Sequence, residues 1–334
     1  MLDEATRERI VSRANLAPSV HNTQPARWRF EADGTITVLA DESRFLKVGD
    51  PHGRDAGVSC GAAVEGTIIA LAELGVSAIH VEDLWQSASA KGLRPAASIV
   101  PRDGGEPSSL SWAVDARFTW RAGFEAAGDS AKKGLAAWAA ARDDVALATE
   151  RADLEMLAGL NDEASLRFYR NDDYRAELVG WMRLIRSHPD YDRDGLNLEA
   201  LGLSTFEGHA ARLALGAGPL FRILDATRIA GLMLGERGKT LSSTAVVLFH
   251  RPHDEPAIAT GREFYRMWLE LAHLGYAAWP MAALADDPET AAACAAHFRI
   301  GDERRLINLL RVGIAPRKPP RARDGGRELI LPAG

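Results

Sequence analysis

The chain has 334 residues, of which 26% are charged and 46% hydrophobic, and its formal net charge is -6 with a pI of about 5.9. The acidic balance excludes a general nucleic-acid-binding surface, and two isolated cysteines exclude a disulfide framework or a cysteine-based metal site. No apolar run approaches the roughly 20 residues that span a bilayer, and the charged start, MLDEATRERI, lacks a signal-peptide core. These features predict a soluble, cytoplasmic protein without a nucleic-acid or membrane partner.

The first part of the chain predicts two helices and four strands. Apolar residues recur at helical spacing over residues 3–17, and Pro18 ends that helix because it disfavours helical backbone at the residue before it. Asp33-Gly34 is a two-residue hairpin signal between strands at 28–30 and 36–39. The remaining expected elements are a helix capped by Asp55 and running to about Leu74, and strands at 76–84 and 97–100.

Residues 101–111, PRDGGEPSSLS, form the clearest linker in the chain, and a second block of elements follows it. The expected elements of that block are helices at about 130–142, 151–169 and 172–187, an excursion at 188–204, two helices within 206–236, a strand at 243–250, a helix at 261–274 and a strand at 305–314. A basic, proline-rich tail comes last.

A dense run of short polar side chains lies between the first helix and the first strand. Such residues bond to nearby backbone and hold an irregular loop in one shape. The string APSVHNTQP, residues 17–25, resembles the APSxxNxQPW signature of the nitroreductase family, which binds flavin mononucleotide (FMN). The resemblance implies that Pro18, Ser19 and Asn22 face the isoalloxazine ring or the ribityl chain of FMN.

A second segment, RFTWRAGF at 117–124, resembles the RxSxRxF motif of the same family. The resemblance implies that Arg117 and Thr119 bind the FMN phosphate and that Arg121 lies nearer the pyrimidine ring or the ribityl chain. Alternate positions of an extended segment point the same way, so the three side chains can converge on one ligand. A solvated basic strand edge is the alternative.

Two further segments complete the resemblance. LGYAAWPM, residues 274–281, resembles the helix–glycine–strand passage that lays backbone against the flavin, which implies that Pro280 and Met281 contact it. Family members often have Pro-x-Glu-Gly there, and this chain lacks that glutamate. The tail resembles a basic-x-basic phosphate clamp, which implies phosphate contacts from Arg321 and Arg323, whereas Arg317, Lys318 and Arg327 are expected to face solvent.

The order of these motifs predicts the domain organisation. In most family members the RxSxR motif comes first, and the APSxxN loop of a partner subunit completes the site. Here the loop comes first, which resembles the single-chain Acg branch, in which two nitroreductase-like halves imitate a dimer. The resemblance implies an α+β fold with mixed or antiparallel sheets flanked by helices, a shortened half at 1–110, and a fuller half at 112–334 with an inserted helical or lid segment at about 188–240. It also implies one FMN site per chain, in a monomer or a homodimer.

The expected function is reduction of a small molecule, a nitroaromatic, quinone or similar acceptor, through the N5 atom of FMN, with NAD(P)H as a transient reductant. The alternative is a protein that binds or sequesters FMN under the 188–240 segment with little turnover. A hydrolase is a third reading, because Gly57-Val58-Ser59-Cys60-Gly61 satisfies GxSxG, although that motif requires a buried strand directly before it. His250 and His253 lack a third metal ligand and are expected to be exposed.

Overall fold

A computed structural model describes residues 2–332 of the chain and gives the bounds of every element used below. The helices are α1 (Glu4–Ala14), α2 (Arg54–Ala72), α3 (Ala113–Ala116), α4 (Asp129–Ala140), α5 (Arg151–Arg170), α6 (Asp172–Gly180), α7 (Leu198–Leu201), α8 (Thr205–Gly216), α9 (Gly218–Ala226), α10 (Ile229–Leu234), α11 (Arg237–Leu241), α12 (Ala257–His273), α13 (Ala283–Asp286) and α14 (Pro288–His297). The strands are β1 (Ala26–Phe30), β2 (Ile36–Asp41), β3 (Val76–Asp83), β4 (Leu93–Asp103), β5 (Val145–Ala148), β6 (Met182–Arg183), β7 (Leu196–Asn197), β8 (Ala245–Pro252), β9 (Ala277–Pro280), β10 (Arg304–Gly313) and β11 (Ile330–Leu331).

The first sheet has the strand order β11-β1-β2-β4-β3 and carries α1 and α2 on its buried face. The predicted hairpin is present, with Phe30 paired to Ile36 across the turn. Trp28 is fully buried under α2, where its indole N–H donates to the Thr67 hydroxyl at 2.9 Å. The last strand of the chain, β11, joins this sheet parallel to β1, so the tail returns to the first half.

The second sheet is antiparallel, with the order β5-β8-β10-β9. Its strand β8 is buried on both faces: Val247 and Phe249 pack toward α12, while Val246 and Leu248 pack toward α5, α13 and α14. A strand buried on both faces needs a continuous apolar run, which is why the sequence signal at 243–250 was short and unbroken. Together the mixed sheet, the antiparallel sheet and their flanking helices confirm the α+β prediction.

The two halves meet where α2 crosses α12 without room for side chains. A Cβ atom added to Gly61 would lie 2.2 Å from the carbonyl oxygen of Ile258, and one added to Gly261 would lie 2.1 Å from that of Val58. The contact is therefore reciprocal, like that between two copies of one surface. The small residues of the GxSxG string lie within α2 and allow this close packing. The segment directly before α2 is a turn and not a buried strand, so the nucleophile motif of a hydrolase lacks the strand that it requires.

Several local predictions were wrong in ways that the structure explains. Asp55 is not the N-cap of α2; the helix begins at Arg54 after Gly53, which takes a left-handed conformation (φ 67°). The helix expected at 172–187 ends at Gly180 because β6 begins at Met182 and pairs with β7. The expected strand at 97–100 extends over β4, since β2 and β3 pair with it on either side, and this shortens the linker.

Two further expectations about single elements also change. The 206–236 stretch holds three helices, α8 to α10, instead of two. His250 is not exposed but 6% accessible, on β8, where it accepts a 2.8 Å hydrogen bond from Arg304.

Helix α2 has the length and composition of a membrane-crossing helix, yet 78% of its apolar window is buried in the fold, as in the core helix of a soluble protein.

Candidate cofactor-binding site

A cavity of about 350 Å³ lies between the two halves of the chain. Its volume is within the range of small-molecule sites, about 300–1,000 Å³. All ten residues that the motifs predicted line it: Pro18, Ser19, Asn22, Arg117, Thr119, Arg121, Pro280, Met281, Arg321 and Arg323. Four segments that are far apart in sequence therefore converge on one cavity, as the resemblance required.

The polar loop that follows α1 is held by hydrogen bonds to distant segments. The Ser19 hydroxyl accepts from the Gln24 N–H at 3.0 Å, and the Gln24 amide in turn donates to the Arg193 carbonyl at 2.7 Å. The Asn22 amide donates to the carbonyls of Gly195 and Ala322 at 3.1 and 3.2 Å. The side chain of Asn22 thus joins the loop to the tail, in addition to facing the cavity.

The backbone of this loop is strained. His21, Asn22 and Gln24 have φ values of 44°, 58° and 50°, in the left-handed region that costs a residue with a Cβ about 1–2 kcal/mol. Such strain persists only where surrounding contacts fix the conformation, and it concentrates at functional sites. The hydrogen bonds of Ser19, Asn22 and Gln24 supply those contacts.

One end of the cavity is a cluster of three arginines, of which Arg117 is buried and Arg321 and Arg323 are half-buried. Arg117 donates to the Leu16 carbonyl at 2.7 Å, Arg321 to the Val114 carbonyl at 3.0 Å, and Arg323 to the Asn22 side chain. None of the three forms an ion pair with a carboxylate within residues 2–332, and the Nε atom of each is buried without a hydrogen-bond partner there. Burial, together with the neighbouring cations, lowers the pKa of Arg117 to about 10 and that of Arg323 to about 9. The cluster therefore places positive charge without a carboxylate partner at the cavity, where an anion would balance it.

Arg121 and His21 form a second polar region of the cavity. Arg121 donates to the Ala200 carbonyl at 2.9 Å, and burial lowers its pKa to about 10. Burial, and then the charge of Arg121, lowers the pKa of His21 to about 4, so the imidazole is neutral near pH 7. Its Nδ1 atom is buried without a partner among the described residues.

The wall opposite the loop comes from the end of β9. Pro280 is the last residue of the strand, and the Met281 N–H donates to the Leu309 carbonyl at 2.6 Å. The Met281 carbonyl accepts from the Leu284 N–H at 3.1 Å, so both backbone groups of Met281 are bound within the protein. Thr119 pairs with Ala278 on the same strand, which sets the RFTWR segment beside this wall.

The chain was compared with known proteins, and no protein-family model matches it. A Mycobacterium tuberculosis H37Rv protein provisionally named NAD(P)H nitroreductase Rv3131 is 38% identical over 73 residues, which are 22% of this chain and 21% of that protein. Another protein of the same strain, provisionally named NAD(P)H nitroreductase acg, is 42% identical over 62 residues, 19% of this chain and 18% of its own length. The chain thus matches about a fifth of the length of these curated relatives.

Over these short matched segments the chain is similar to proteins named as nitroreductases. Among solved structures, the FMN- and NADPH-dependent nitroreductase NfnB from Sphigopyxis sp. strain HMH is 20% identical and aligns over 67% of this chain and 98% of its own, with a TM-score of 0.36. NfnB from Mycobacterium smegmatis in complex with NADPH is 18% identical and aligns over 62% and 90%, with a TM-score of 0.35.

The cavity has further lining residues that the sequence motifs did not predict. Helix α5 presents one face to the cavity, because residues four and seven to eight apart share a face of a helix. The residues of α5 that line the cavity are Asn161, Ser165, Phe168 and Tyr169. The other additional lining residues include Asp55 of α2, Asp286 of α13, Trp268, Trp279 and Glu236. The i, i+4 spacing of Asn161 and Ser165 among leucines and alanines was the one signal for the α5 wall.

His21 makes the ligand-free protein sensitive to acid. Because the folded pKa lies below the ordinary value of 6.5, the unfolded chain binds a proton that the folded chain does not. The contribution of this pKa difference to the free energy of unfolding is fully present above pH 6.5. It is lost as the pH falls toward 4, and the loss amounts to up to about 3 kcal/mol. We expect His21→Asn, which tolerates a left-handed backbone, to lose less stability over this range than the wild type in urea unfolding. The same replacement at the exposed His80 serves as the control, and equal pH slopes for His21→Asn and wild type would contradict the assignment.

Proposed function

We propose that the chain is an FMN-binding oxidoreductase that reduces a nitroaromatic, quinone or similar small acceptor at the cavity between its halves. The observation that carries the proposal is the group of arginines, Arg117, Arg321 and Arg323, which line the cavity and have no carboxylate partner within residues 2–332. A phosphate monoester with close to two negative charges is the anion that such a cluster suits. When bound, FMN supplies the redox chemistry, and the protein supplies position and electrostatics.

The remaining lining residues fit the rest of the cofactor. Thr119 offers a hydroxyl beside the arginines, and Arg121 offers a cation on the same extended segment for the pyrimidine edge, where reduction leaves negative charge. Trp268 and Trp279 are buried walls of the cavity, and the indole N–H of Trp268 is buried without a partner within residues 2–332. A flat aromatic ring with polar edges is therefore compatible with these walls.

The proposal includes one FMN per chain and a pseudo-dimeric arrangement of the halves 1–110 and 112–334. Its support is the reciprocal crossing of α2 and α12 through Gly61 and Gly261, and the single cluster of arginines. The loop at 18–22 reaches the cavity from the first half, and the other three motifs reach it from the second. In this arrangement the chain itself supplies the loop that a partner subunit supplies in an ordinary nitroreductase dimer.

A second candidate function is FMN binding with little turnover. It is favoured by Ala200, Leu201, Leu234 and Glu236, which belong to the 188–240 segment and form part of the cavity wall. Glu236 also pairs with the buried Arg311, whose guanidinium lies 3.6 Å from the centre of the Trp279 ring, so this side of the wall is firmly attached. A segment held there would hinder the approach of a nicotinamide nucleotide to a bound flavin.

Anaerobic mixing of the FMN-loaded protein with NADH or NADPH separates the two functions. An oxidoreductase loses the flavin absorbance near 450 nm (roughly the band of oxidised flavin) within the mixing experiment, whereas a sequestering protein keeps it. Free FMN with the same nucleotide is the control. A protein that takes up no FMN would contradict both functions.

A further inference from the structure

Among residues 2–332, seven of the ten large hydrophobic side chains that are exposed lie in one stretch, on helices α8 to α10. They are Phe206, Leu213, Leu220, Ile223, Ile229, Leu232 and Met233, and Phe206 and Leu232 are 83% and 84% accessible. A concentration of exposed apolar side chains in one part of a soluble protein indicates an interaction surface. We call these seven residues the apolar surface.

Residues of the apolar surface share faces of their helices. Phe206 and Leu213 are seven residues apart on α8, and Leu220 and Ile223 are three apart on α9, so each pair shares one face of its helix. The opposite faces are used inside the protein, where Leu215, Phe221 and Ala230 form a small core. The exposed residues are therefore additional to those that hold the helices in place, and they remain available to a partner.

Charge selects the kind of partner. Residues 204–239 contain five basic and three acidic side chains, whereas the whole chain has a net charge of -6. Arg212 and Arg228 are exposed between the apolar residues and form no ion pair within residues 2–332. Glu236, one of the three acidic residues, forms an ion pair with the buried Arg311. The stretch thus presents apolar and positive groups together, the combination that binds an anionic membrane surface.

We propose that the apolar surface and its arginines dock this protein onto an anionic lipid bilayer. A second copy of the chain is a poorer occupant, since a symmetric contact through this face would place the same unpaired arginines opposite one another. The proposal does not involve α2, whose apolar window is mostly buried, because surface docking buries only side chains and needs no spanning segment. The same stretch forms part of the cavity wall through Leu234, so docking would bring the cavity close to acceptors dissolved in the membrane; that consequence rests on the proposed function.

Vesicle flotation tests the docking. We expect the full-length protein to float with vesicles of phosphatidylcholine that contain a quarter phosphatidylglycerol, and to float less in high salt or with phosphatidylcholine alone. Replacing Leu213, Ile223 and Leu232 together by Ser should weaken binding at least about tenfold, and Arg212→Gln with Arg228→Gln should weaken it by roughly fivefold for each charge.

The control is Ile79→Ser, which removes a side chain of 52% accessibility from β3, outside the apolar surface. This variant should float like the wild type, and thermal unfolding should show all variants folded, because every replaced side chain is exposed. The proposal is overturned if the wild type does not float with anionic vesicles, or if Ile79→Ser weakens flotation as much as the triple variant. It is equally overturned if light scattering shows a wild-type dimer that the triple variant dissociates without any lipid binding, since a second copy would then cover the surface.

Discussion

Replacing Arg117 and Arg323 together by Ala should strip FMN from the protein. Each guanidinium lines the cavity and forms no ion pair with a carboxylate within residues 2–332, and hydrogen bonds to charged groups contribute about 1.5–3 kcal/mol each. We therefore expect the dissociation constant for FMN to rise on the order of 10³-fold. Fluorescence titration of the ligand-free protein with FMN measures the change.

The tail provides a matched control for this variant. Arg327 lies four residues after Arg323 and is exposed in an ion pair with Glu4, so Arg327→Ala should leave FMN affinity unchanged. Replacing Arg117 and Arg323 by Lys keeps the charge and removes the planar fork, and an intermediate loss is expected. Thermal unfolding of the ligand-free forms distinguishes lost binding from lost folding. Normal flavin content in the folded double-Ala variant would count against the phosphate site.

Gly61→Ala or Gly261→Ala should each destabilise the protein by about 3 kcal/mol, because the new methyl group would overlap the backbone of the facing helix. The two glycines occupy the same contact, so a shift that accommodates one methyl group makes partial room for the other. The double variant should therefore lose less than the sum of the two single losses. Urea unfolding of the three variants measures both effects.

The control for these variants is Gly159→Ala on α5, which is expected to stabilise the protein in the same experiment. A Cβ atom there would meet nothing within 4 Å, and alanine lowers the entropy cost of a helical position. Gly159→Ala should accordingly raise the stability by about 0.5–1 kcal/mol. If Gly61→Ala and Gly261→Ala were as mild as this control, the close crossing of α2 and α12 would not be present in solution.

The sequence allowed much of the fold to be predicted wherever a local pattern decides the structure. The hairpin around Asp33-Gly34, the helix before Pro18 and the buried strand β8 follow from local chemistry and were confirmed, although α1 ends at Ala14, three residues before the predicted end. The start of α2 could not be predicted in this way, because a left-handed Gly53 replaces the expected cap. The length of β4 was underestimated since its pairing with β2 and β3 is a tertiary property that no local window contains.

The candidate site was also predictable only in part from the sequence. Motif resemblance brought together ten residues that line one cavity, but the assignment of their roles stays a prediction. It did not anticipate the α5 wall, because Asn161 and Ser165 read as ordinary positions of an amphipathic helix. An internal similarity was overlooked as well: Leu71, Ala72, Leu74 and Gly75 recur as Leu271, Ala272, Leu274 and Gly275, two hundred residues later. This recurrence at the ends of α2 and α12 would have pointed to their reciprocal contact.

The number of FMN molecules that one chain binds tests the central claim most directly. The ligand-free protein can be titrated with FMN, and the bound flavin counted against the protein concentration. One cluster of unpaired arginines and one loop at 18–22 predict one FMN per chain. A chain that binds no FMN, or that binds two, would contradict the account.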